Sequence, residues 1–267
     1  MKSDAYSCVD HIRVGGVSTA PLTSVDLLSL MEIDIGKRAS GTLARTVSVF
    51  DTNGQGLSLY HLNPTYAAAM EQADIVHADG QFIVWASRLN GQGPIPERTA
   101  TTDFIHDAAK LAAQKGYGFY LLGSSEDINA RCAATLMEEY PNLRIVGRRN
   151  GYFDREDEAE ICVDIAASGA DIVWVGLGKP KEQEFVIRNR EALGAAWAVT
   201  CGGCFHFVVG DYSRAPVWMQ KAGLEWVHRM VTGPRYLLRR YLTTIPHVIW
   251  IVLRHDIFGR KKEDPHV

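Results

Sequence analysis

The sequence has no uninterrupted apolar run that reaches the length of about 18 residues needed by a membrane-spanning helix. The best candidate, residues 245–253, is short and contains Pro246 and His247. Cysteine is scarce and its number is odd: Cys8, Cys132, Cys162, Cys201 and Cys204. Since we recognise no secretory signal at the N-terminus, we expect reduced thiols in the cytosol, and neither a transmembrane nor a disulfide-stabilised secreted protein.

Metal-binding motifs are also missing. No Asp-x-Asp occurs anywhere, which argues against phosphate chemistry that depends on a carboxylate-bound divalent cation. Cys201 and Cys204, followed by His206, suggest zinc or redox chemistry, but a structural zinc needs four ligands and a second cysteine pair is absent. The haem-attachment pattern requires His where Phe205 stands. We therefore expect no metal and no cofactor, so that helix N-termini and arginines would meet any leaving-group charge.

The composition is ordinary for a soluble globular protein, with 46% hydrophobic and 22% charged residues in a chain of 267. This length allows one large domain or a domain with an appendage. The net charge of −3 hides an asymmetry, because residues 214–262 carry ten Lys or Arg against two acids and are +8, leaving −11 for the remainder. Such a basic segment suits anionic lipid, phosphate or nucleic acid. We expect no nucleic acid, because the acidic remainder would oppose a polyanion.

Segments typical of strands and helices alternate along the chain. Strands are predicted at 11–14, 46–50, 73–79, 118–122, 144–146, 171–175 and 196–200. Helices are predicted at 21–31, 57–72, 104–115, 126–140, 155–168 and 181–193, with a basic connector at 36–45. This alternation predicts an α/β fold with a mainly parallel, Rossmann-like sheet flanked by helices.

The pattern changes after Gly210. Two basic helices are predicted at 215–231 and 235–244, separated by Thr232-Gly233-Pro234, where Gly suits a helix end and Pro a helix start. We therefore divide the chain into an α/β catalytic core, residues 1–210, and a basic helical appendage, residues 211–267. Arginines here alternate with Trp, Tyr and Leu, as expected of a surface that meets lipid headgroups and acyl chains. The alternative is an ordinary solvated basic face.

The segment 73–81 contains the first candidate for chemistry. It predicts a buried strand that ends in Asp79 and is followed at once by Gly80 and a helical segment. Ligands of open α/β folds bind at the carboxyl ends of the strands, which makes Asp79 a candidate catalytic group. The alternative is that Asp79 only caps the following helix.

Two other strand ends carry ligand-binding signals. Asp51-Thr52-Asn53-Gly54 places three polar residues and a glycine after the strand at 46–50. Gly176-Leu177-Gly178-Lys179-Pro180-Lys181 lacks the third glycine of a dinucleotide motif, yet a glycine-rich loop before a helix suits a phosphate, and both lysines would add charge. The alternative is a tight turn with solvated lysines.

Ordered landmarks along residues 46–241 resemble the WecG/TagA/CpsF family of bacterial glycosyltransferases, glycosyltransferase family 26. These landmarks are Asn53, Ala78-Asp79-Gly80, Glu97-Arg98 with Asp103, Leu122-Gly123, Tyr140-Pro141 with Gly147 and Gly151-Tyr152-Phe153, Gly176-Leu177-Gly178 with Pro180-Lys181, Gly210 with Arg214-Ala215-Pro216, Glu225-Trp226 with Arg229, and Pro234-Arg235 with Arg239, Arg240 and Tyr241.

The resemblance implies an inverting, metal-independent enzyme that moves a sugar from a UDP-sugar to a polyprenyl-diphosphate-linked saccharide in polysaccharide biosynthesis. It also implies a peripheral location at the cytoplasmic face of the inner membrane, with the appendage facing the membrane. Asp79 would be the catalytic general base. Donor-binding candidates are Asp51, Thr52, Asn53, Gly123, Gly176, Gly178, Lys181, Glu182, Gln183 and Gly202, and acceptor or diphosphate candidates are Arg98, Arg214, Arg229, Arg235 and Arg239.

Several residues depart from the family pattern. Pro-Lys-Gln-Glu is Pro180-Lys181-Glu182-Gln183-Glu184 here, so either Glu182 or Gln183 takes the role of the family's glutamine. Phe-Asp is Phe205-His206, Arg-x-x-Gly is Arg98-Thr99-Ala100-Thr101, and Asp51 stands where many members have Thr. A second function stays open, that of a non-enzymatic nucleotide-sugar sensor or scaffold at the membrane. The donor sugar, the acceptor saccharide and the oligomeric state, including a homo-oligomer, also stay open.

Overall fold

Strands and helices alternate along most of the chain in the computed structural model, which describes residues 11–89, 91–232 and 235–258, without the side chains of 221, 235–237 and 239. The strands are β1 Ile12–Val14, β2 Val17–Thr19, β3 Val47–Thr52, β4 Ile75–Ala78, β5 Gly118–Gly123, β6 Arg144–Arg149, β7 Ile172–Gly176 and β8 Trp197–Thr200. The helices are α1 Ser24–Ala39, α2 Gly54–Leu62, α3 Pro64–Glu71, α4 Gln81–Ser87, α5 Thr101–Lys115, α6 Glu126–Glu139, α7 Glu158–Ser168, α8 Lys181–Asn189, α9 Cys204–Val208, α10 Val217–Lys221, α11 Glu225–Thr232 and α12 Arg235–Val252.

Six of the strands form one sheet in the order β4-β3-β8-β7-β5-β6, and every neighbouring pair is parallel. The mainly parallel α/β sheet predicted from the alternation is therefore confirmed. β1 is the strand predicted at 11–14, and it forms an antiparallel hairpin with β2, which the sequence pattern missed. Three residues are too few to show the alternation by which a strand is recognised.

Both faces of the sheet are covered, which explains why its central strands are continuous hydrophobic runs. Successive residues of β7 contribute to opposite cores: Val173 and Val175 to one, Ile172 and Trp174 to the other. The first core includes residues of α2, α3, α4, α7, α8 and α12, and the second includes residues of α1, α5, α6 and α9. The two layers hold the carboxyl ends of the strands at one edge.

The predicted helix 57–72 is wrong as a single element, because Pro64 divides it into α2 and α3. Proline cannot donate a hydrogen bond inside a helix but fits its first turn. Asn63 caps the new helix by accepting a hydrogen bond from the backbone N–H of Tyr66.

The predicted connector at 36–45 is also partly wrong, because α1 continues through Gly36 to Ala39. A capping box formed by Thr23 and Asp26 starts this helix, and the buried residues Leu27 and Met31 anchor it against the core. Tertiary packing offsets the cost of about 1 kcal/mol that glycine adds inside a helix.

The C-terminal segment differs in its helix boundaries from the prediction. Helix 215–231 is two helices, α10 and α11, with Gly223 at a positive φ of 62° between them. α12 extends beyond 244 to Val252, and its buried residues Val248, Ile251 and Val252 belong to the same core as the hairpin β1–β2. Thus the last turns of α12 pack against the core, while the domain division at 210 stays a prediction.

None of the helices within the described ranges is both long and apolar enough to cross a membrane. The four cysteines for which the structure gives positions, Cys132, Cys162, Cys201 and Cys204, are free thiols and are buried. Cys8 lies outside the described residues.

Candidate active site

The predicted site residues meet at the carboxyl edge of the sheet. β4 is followed by Asp79, β3 carries Asp51 and Thr52 and is followed by Asn53, β8 is followed by Cys201 and Gly202, and β7 and β5 end at Gly176 and Gly123. Since β4, β3, β8, β7 and β5 are consecutive neighbours, these residues form one row across the sheet. The parallel arrangement is what brings together positions that are up to 151 residues apart, from Asp51 to Gly202.

Asp79 does not cap the helix that follows it. α4 begins after Gly80 without a side-chain cap. Asp79 Oδ1 instead accepts a hydrogen bond of 2.9 Å from the backbone N–H of Thr101, the first residue of α5, and Oδ2 accepts one of 3.1 Å from Asn53 Nδ2. Burial raises the pKa of Asp79, but the Thr101 N–H, the charge of Lys179 and the Asn53 amide outweigh this effect and hold it below its usual value. The carboxylate is therefore ionised at neutral pH.

Asn53 connects the two neighbouring strand ends. Its oxygen accepts a hydrogen bond of 3.0 Å from the backbone N–H of Gly56 and so caps α2. Its nitrogen donates to both Asp51 Oδ2 and Asp79 Oδ2, each at 3.1 Å. The cap fixes which end of the amide faces the carboxylates, because the oxygen is already used on the helix.

Lys179 is a buried cation of this site and not a solvated lysine of a turn. Its Nζ lies 2.6 Å from Asp51 Oδ1 and 2.5 Å from Asp51 Oδ2, and 8% of the side chain is exposed. Lys181, which the resemblance favoured, begins α8 and is exposed to solvent. The sequence showed two lysines in the loop, but only the fold distinguishes the buried one.

Glu182 bridges the loops after β7 and β8. Its Oε2 accepts hydrogen bonds from the backbone N–H groups of Gly178, at 2.9 Å, and Gly202, at 3.0 Å. Gln183 Nε2 donates to Oε1 at 3.2 Å, and both side chains are fully buried. The resemblance left open whether Glu182 or Gln183 takes the role of the family's glutamine. Of these two residues, Glu182 is the one that joins the loops containing Gly178 and Gly202. Burial raises the pKa of Glu182 to about 7, against the lowering effect of Lys179.

Replacing Glu182 with glutamine is expected to stabilise the fold at alkaline pH. Between the ordinary glutamate pKa of 4.5, which applies to the unfolded chain, and the folded pKa of about 7, the folded protein keeps a proton that the unfolded chain has lost. The free energy of unfolding therefore falls as pH rises through this window, by up to about 3 kcal/mol. A glutamine oxygen can still accept from both glycines, so the variant should lack this decline.

Urea denaturation of wild type and Glu182→Gln between pH 4.5 and 8 measures the effect. Glu184→Gln is the matched control, because Glu184 is a partly exposed carboxylate of the same helix that pairs with Arg188 at 3.6 Å. Equal pH dependence in wild type and Glu182→Gln would contradict the assignment of this window to Glu182.

The direction of the chain connections changes between β5 and β7, which makes this the topological switch point of the sheet. The chain leaves β5 through α6 to β6 and leaves β7 through α8 to β8, in opposite directions across the sheet. Ligands of doubly wound folds bind at such a switch point. Gly123 has a φ of 138°, and a Cβ there would lie 2.3 Å from the carbonyl oxygen of Gly176. Only glycine allows this approach, so backbone and not side chains forms the edge of the sheet at this point.

Unsatisfied polar atoms concentrate at the same edge. Within the described part of the chain, buried side-chain atoms without a hydrogen-bond partner include Thr52 Oγ1, Tyr66 Oη, Thr101 Oγ1, Gln183 Oε1 and Thr200 Oγ1. Buried polar groups are normally paired. Their clustering around the row of strand ends is what a site for a polar ligand requires.

Three of the predicted acceptor arginines lie beside Asp79. Arg98 Nη1 and Arg229 Nη2 donate to the two oxygens of Glu225, at 2.8 and 2.7 Å. Arg214 holds Asp103 through two hydrogen bonds of 2.7 and 3.1 Å. These ion pairs fix the guanidinium groups and join α11 to the loop before α5. Arg235 and Arg239 are positions of α12 whose side chains lie outside the described residues.

Sequence reasoning missed Glu225 and Asp103 as partners of these arginines, although both belong to the landmarks of the resemblance. Lys179 was named only as a charge in the loop. Glu225 and Arg229 are four residues apart on α11, a spacing that the sequence shows, but the other two pairs are distant, 127 residues for Arg98 and Glu225 and 111 for Arg214 and Asp103. No local pattern predicts such pairs. Within the described residues, no three His, Cys, Asp or Glu side chains are grouped so that they could hold a metal ion.

A doubly wound parallel sheet with an ionised carboxylate, a topological switch point and ordered arginines at its carboxyl edge is the architecture of an α/β enzyme. The model of the glycosyl transferase WecG/TagA/CpsF family matches residues 12–262, and the chain belongs to this family. The resemblance found in the sequence is thereby confirmed, and the protein is a glycosyltransferase.

Two relatives carry the same descriptive name, N-acetylglucosaminyldiphosphoundecaprenol N-acetyl-beta-D-mannosaminyltransferase. The protein from Bacillus spizizenii is 32% identical over 204 residues, which cover 76% of each chain. The protein from Bacillus subtilis is 29% identical over 205 residues, which cover 75% of this chain and 78% of the relative.

Proposed function

We propose that this glycosyltransferase moves a sugar from a UDP-sugar to a polyprenyl-diphosphate-linked saccharide, with inversion at the anomeric carbon and without a metal ion. The observation that carries the proposal is the ionised Asp79, held by Thr101 N–H and Asn53 Nδ2 at the strand edge, with arginines on one side and glycine loops on the other. The arrangement supplies Asp79 as a base, and it offers the arginines and the glycine loops as two regions that suit phosphate groups.

The donor fits the row of strand ends. The diphosphate would lie at the switch point beside Gly123 and Gly176, where backbone can approach closely and the N-terminus of α8 is near. The sugar would then extend along the edge towards Asn53 and Asp79.

The acceptor fits the opposite side of Asp79. Arg98, Arg214 and Arg229 carry three positive charges against Glu225 and Asp103. Guanidinium makes bidentate pairs with phosphate oxygens, so these arginines suit the acceptor's diphosphate. The names of both relatives specify a GlcNAc-diphosphoundecaprenol acceptor and an N-acetylmannosaminyl group, which we propose as the first substrates to try.

In the reaction, the oxygen of the acceptor hydroxyl would attack the anomeric carbon of the donor sugar while Asp79 removes the proton of that hydroxyl. The bond from that carbon to the diphosphate breaks on the opposite face, so one displacement inverts the configuration. Backbone N–H groups and arginines would stabilise the leaving diphosphate. Metal independence is part of the proposal because these groups already supply positive charge at both ends of the reaction.

Substrate panels test the proposal directly. The purified protein should be incubated with UDP-sugars, including UDP-N-acetylmannosamine, and a short-chain polyprenyl-diphosphate GlcNAc, with EDTA present in a parallel set. We expect mass spectrometry to show a lipid heavier by one N-acetylhexosamine, with or without EDTA. Saturable UDP-sugar binding without any glycosylated lipid would instead favour a sensor or scaffold.

A further inference from the structure

Two buried charges at the strand edge have no part in the mechanism so far. Lys179 and Asp51 form an ion pair in which both carboxylate oxygens contact Nζ, at 2.6 and 2.5 Å. Only 8% and 5% of the two side chains are exposed. A buried ion pair seldom adds net stability over apolar residues of similar volume. The presence of this ion pair in the site is therefore better explained by function than by stability.

The pair is connected to Asp79 through a single amide. Asn53 Nδ2 donates one hydrogen bond to Asp51 Oδ2 and one to Asp79 Oδ2, both at 3.1 Å. Two carboxylates thus share one neutral donor group, and the negative charge of Asp51 disfavours the ionised form of Asp79. Lys179 supplies the cation that offsets the charge of Asp51.

We propose that Lys179 and Asp51 are positioning residues that set the ionisation of Asp79 through their charges and through Asn53. The pair would keep Asn53 turned towards Asp79 and hold the site between β3 and β4 at one net negative charge. This inference rests on the proposed role of Asp79 as the base. The sequence shows the charges of Lys179 and Asp51, but only the fold shows that the two residues contact each other.

The geometry disfavours a phosphate-binding role for Lys179. Both carboxylate oxygens of Asp51 already accept hydrogen bonds from Lys179 Nζ, and Glu182 Oε1 lies 4.0 Å from the same nitrogen. Moving Lys179 to a phosphate would leave the buried carboxylate of Asp51 unpaired, which is costly. The ammonium therefore stays with Asp51, and its effect on the reaction is electrostatic.

Other charged or titratable groups also act on Asp79, and these residues must stay unchanged in every variant that is compared. They are His77 on β4, Arg98 before α5, Cys204 on α9, Arg214 before α10 and Arg229 on α11. His77 is fully buried, its Nδ1 lies 2.9 Å from Thr99 Oγ1, and burial holds its pKa below the usual value. It is neutral at neutral pH.

Single substitutions of the pair should shift the titration of Asp79 in opposite directions. Lys179→Met leaves the negative charge of Asp51, so the acid limb of the kcat/KM profile should move to higher pH by about one unit. Asp51→Asn leaves the positive charge of Lys179, so the limb should move to lower pH. The double variant removes both charges and should return the limb towards that of wild type.

A purely structural role would lower kcat/KM in both single variants without opposite shifts, and that result would overturn the inference. Lys110→Met is the charge-matched control, because Lys110 is an exposed residue of α5 outside the site. If Lys179→Met does not fold, Asp51→Asn and the double variant still decide, since the first must shift the limb down and the second must restore it.

A titration that does not depend on turnover separates this inference from the proposed function. Carbon-13 carboxyl NMR of the aspartates, with the Asp79 signal identified by its loss in Asp79→Asn, reports the pKa of Asp79 directly. Opposite movements of that pKa in Lys179→Met and Asp51→Asn would support the inference. Movements in the same direction, or none, would overturn it. Normal turnover in Asp79→Asn would overturn the base assignment instead.

Discussion

Asp79→Asn is expected to lower turnover by a factor of about 10² to 10⁴, the usual contribution of a positioned general base. The substitution removes the proton acceptor but keeps the size and shape of the side chain. UDP-sugar binding should persist, because the proposed diphosphate position is beside the backbone of Gly123 and Gly176 on β5 and β7, and β3 and β8 separate these strands from β4.

The fold should also persist, at a modest cost. Asp79 accepts from two donors, Thr101 N–H and Asn53 Nδ2, and asparagine has only one oxygen to offer them. One donor would lose its partner, which lowers the free energy of unfolding by about 1 to 3 kcal/mol. Urea denaturation measures this loss separately from the loss of turnover.

Asp107→Asn is the matched control for this experiment. Asp107 is an exposed carboxylate of α5, six residues after the Thr101 that holds Asp79. This variant should keep wild-type turnover and wild-type UDP binding, measured by calorimetry. Near-normal turnover of Asp79→Asn with the lipid acceptor would show that Asp79 is not the base.

The sequence predicted the row of strand ends well, and the reason is physical. Parallel strands buried on both faces are continuous hydrophobic runs, so their ends are visible where polar residues and glycine begin. Asp79, Asp51 and Gly176 were found in this way, and the parallel sheet places such ends at one edge. The same argument needs no knowledge of strand order.

The contacts between these ends could not be predicted, because they depend on which strands are neighbours. The alternation of elements does not reveal that β8 lies between β3 and β7. Without that order, nothing indicates that Lys179 reaches Asp51, 128 residues away. Nor does it indicate that Glu182 reaches Gly202. Residue type alone allowed Asp79 to cap α4, but the carboxylate accepts a hydrogen bond from Thr101 N–H at the start of α5 instead.

The C-terminal helices are joined to the site by ion pairs and to the core by apolar packing. Glu225 of α11 contacts Arg98, and Val248 and Ile251 of α12 are buried among core residues. The C-terminal helices therefore cover apolar core residues that precede residue 211. A test of membrane binding is better made with point substitutions than with removal of the segment, because removal would expose part of the core.

Exposed large apolar residues concentrate in this segment. Among the side chains that the structure describes between 217 and 258, ten are of this kind: Val217, Trp218, Trp226, Val231, Leu238, Leu242, Ile249, Trp250, Leu253 and Phe258. Four of them, Leu238, Leu242, Ile249 and Leu253, follow helical spacing along α12 and into the π-helical segment Leu253–Phe258 that continues it, and we call them the apolar stripe. The buried residues Val248, Ile251 and Val252 occupy a different face of the same helix.

We propose that the apolar stripe lies in the membrane interface, so that the lipid-linked acceptor reaches the arginines beside Asp79. Leu242 is 63% and Ile249 is 46% exposed. An exposed apolar stripe on a helix in a basic segment is typical of an interfacial helix. Each basic residue near an anionic surface adds about 1 kcal/mol to binding. A membrane-bound acceptor needs an enzyme held at the headgroup plane.

The double variant Leu242→Glu/Ile249→Glu should bind phosphatidylglycerol vesicles at least about 100-fold more weakly than wild type, since burying each aliphatic side chain contributes about 1.5 to 3 kcal/mol. Turnover of a long-chain lipid acceptor in vesicles should fall in parallel, whereas a short-chain acceptor in solution should be used normally. Val163→Glu, at an exposed apolar position of α7, is the control and should change neither quantity. Wild-type vesicle binding by the double variant would mean that the apolar stripe does not face the lipid.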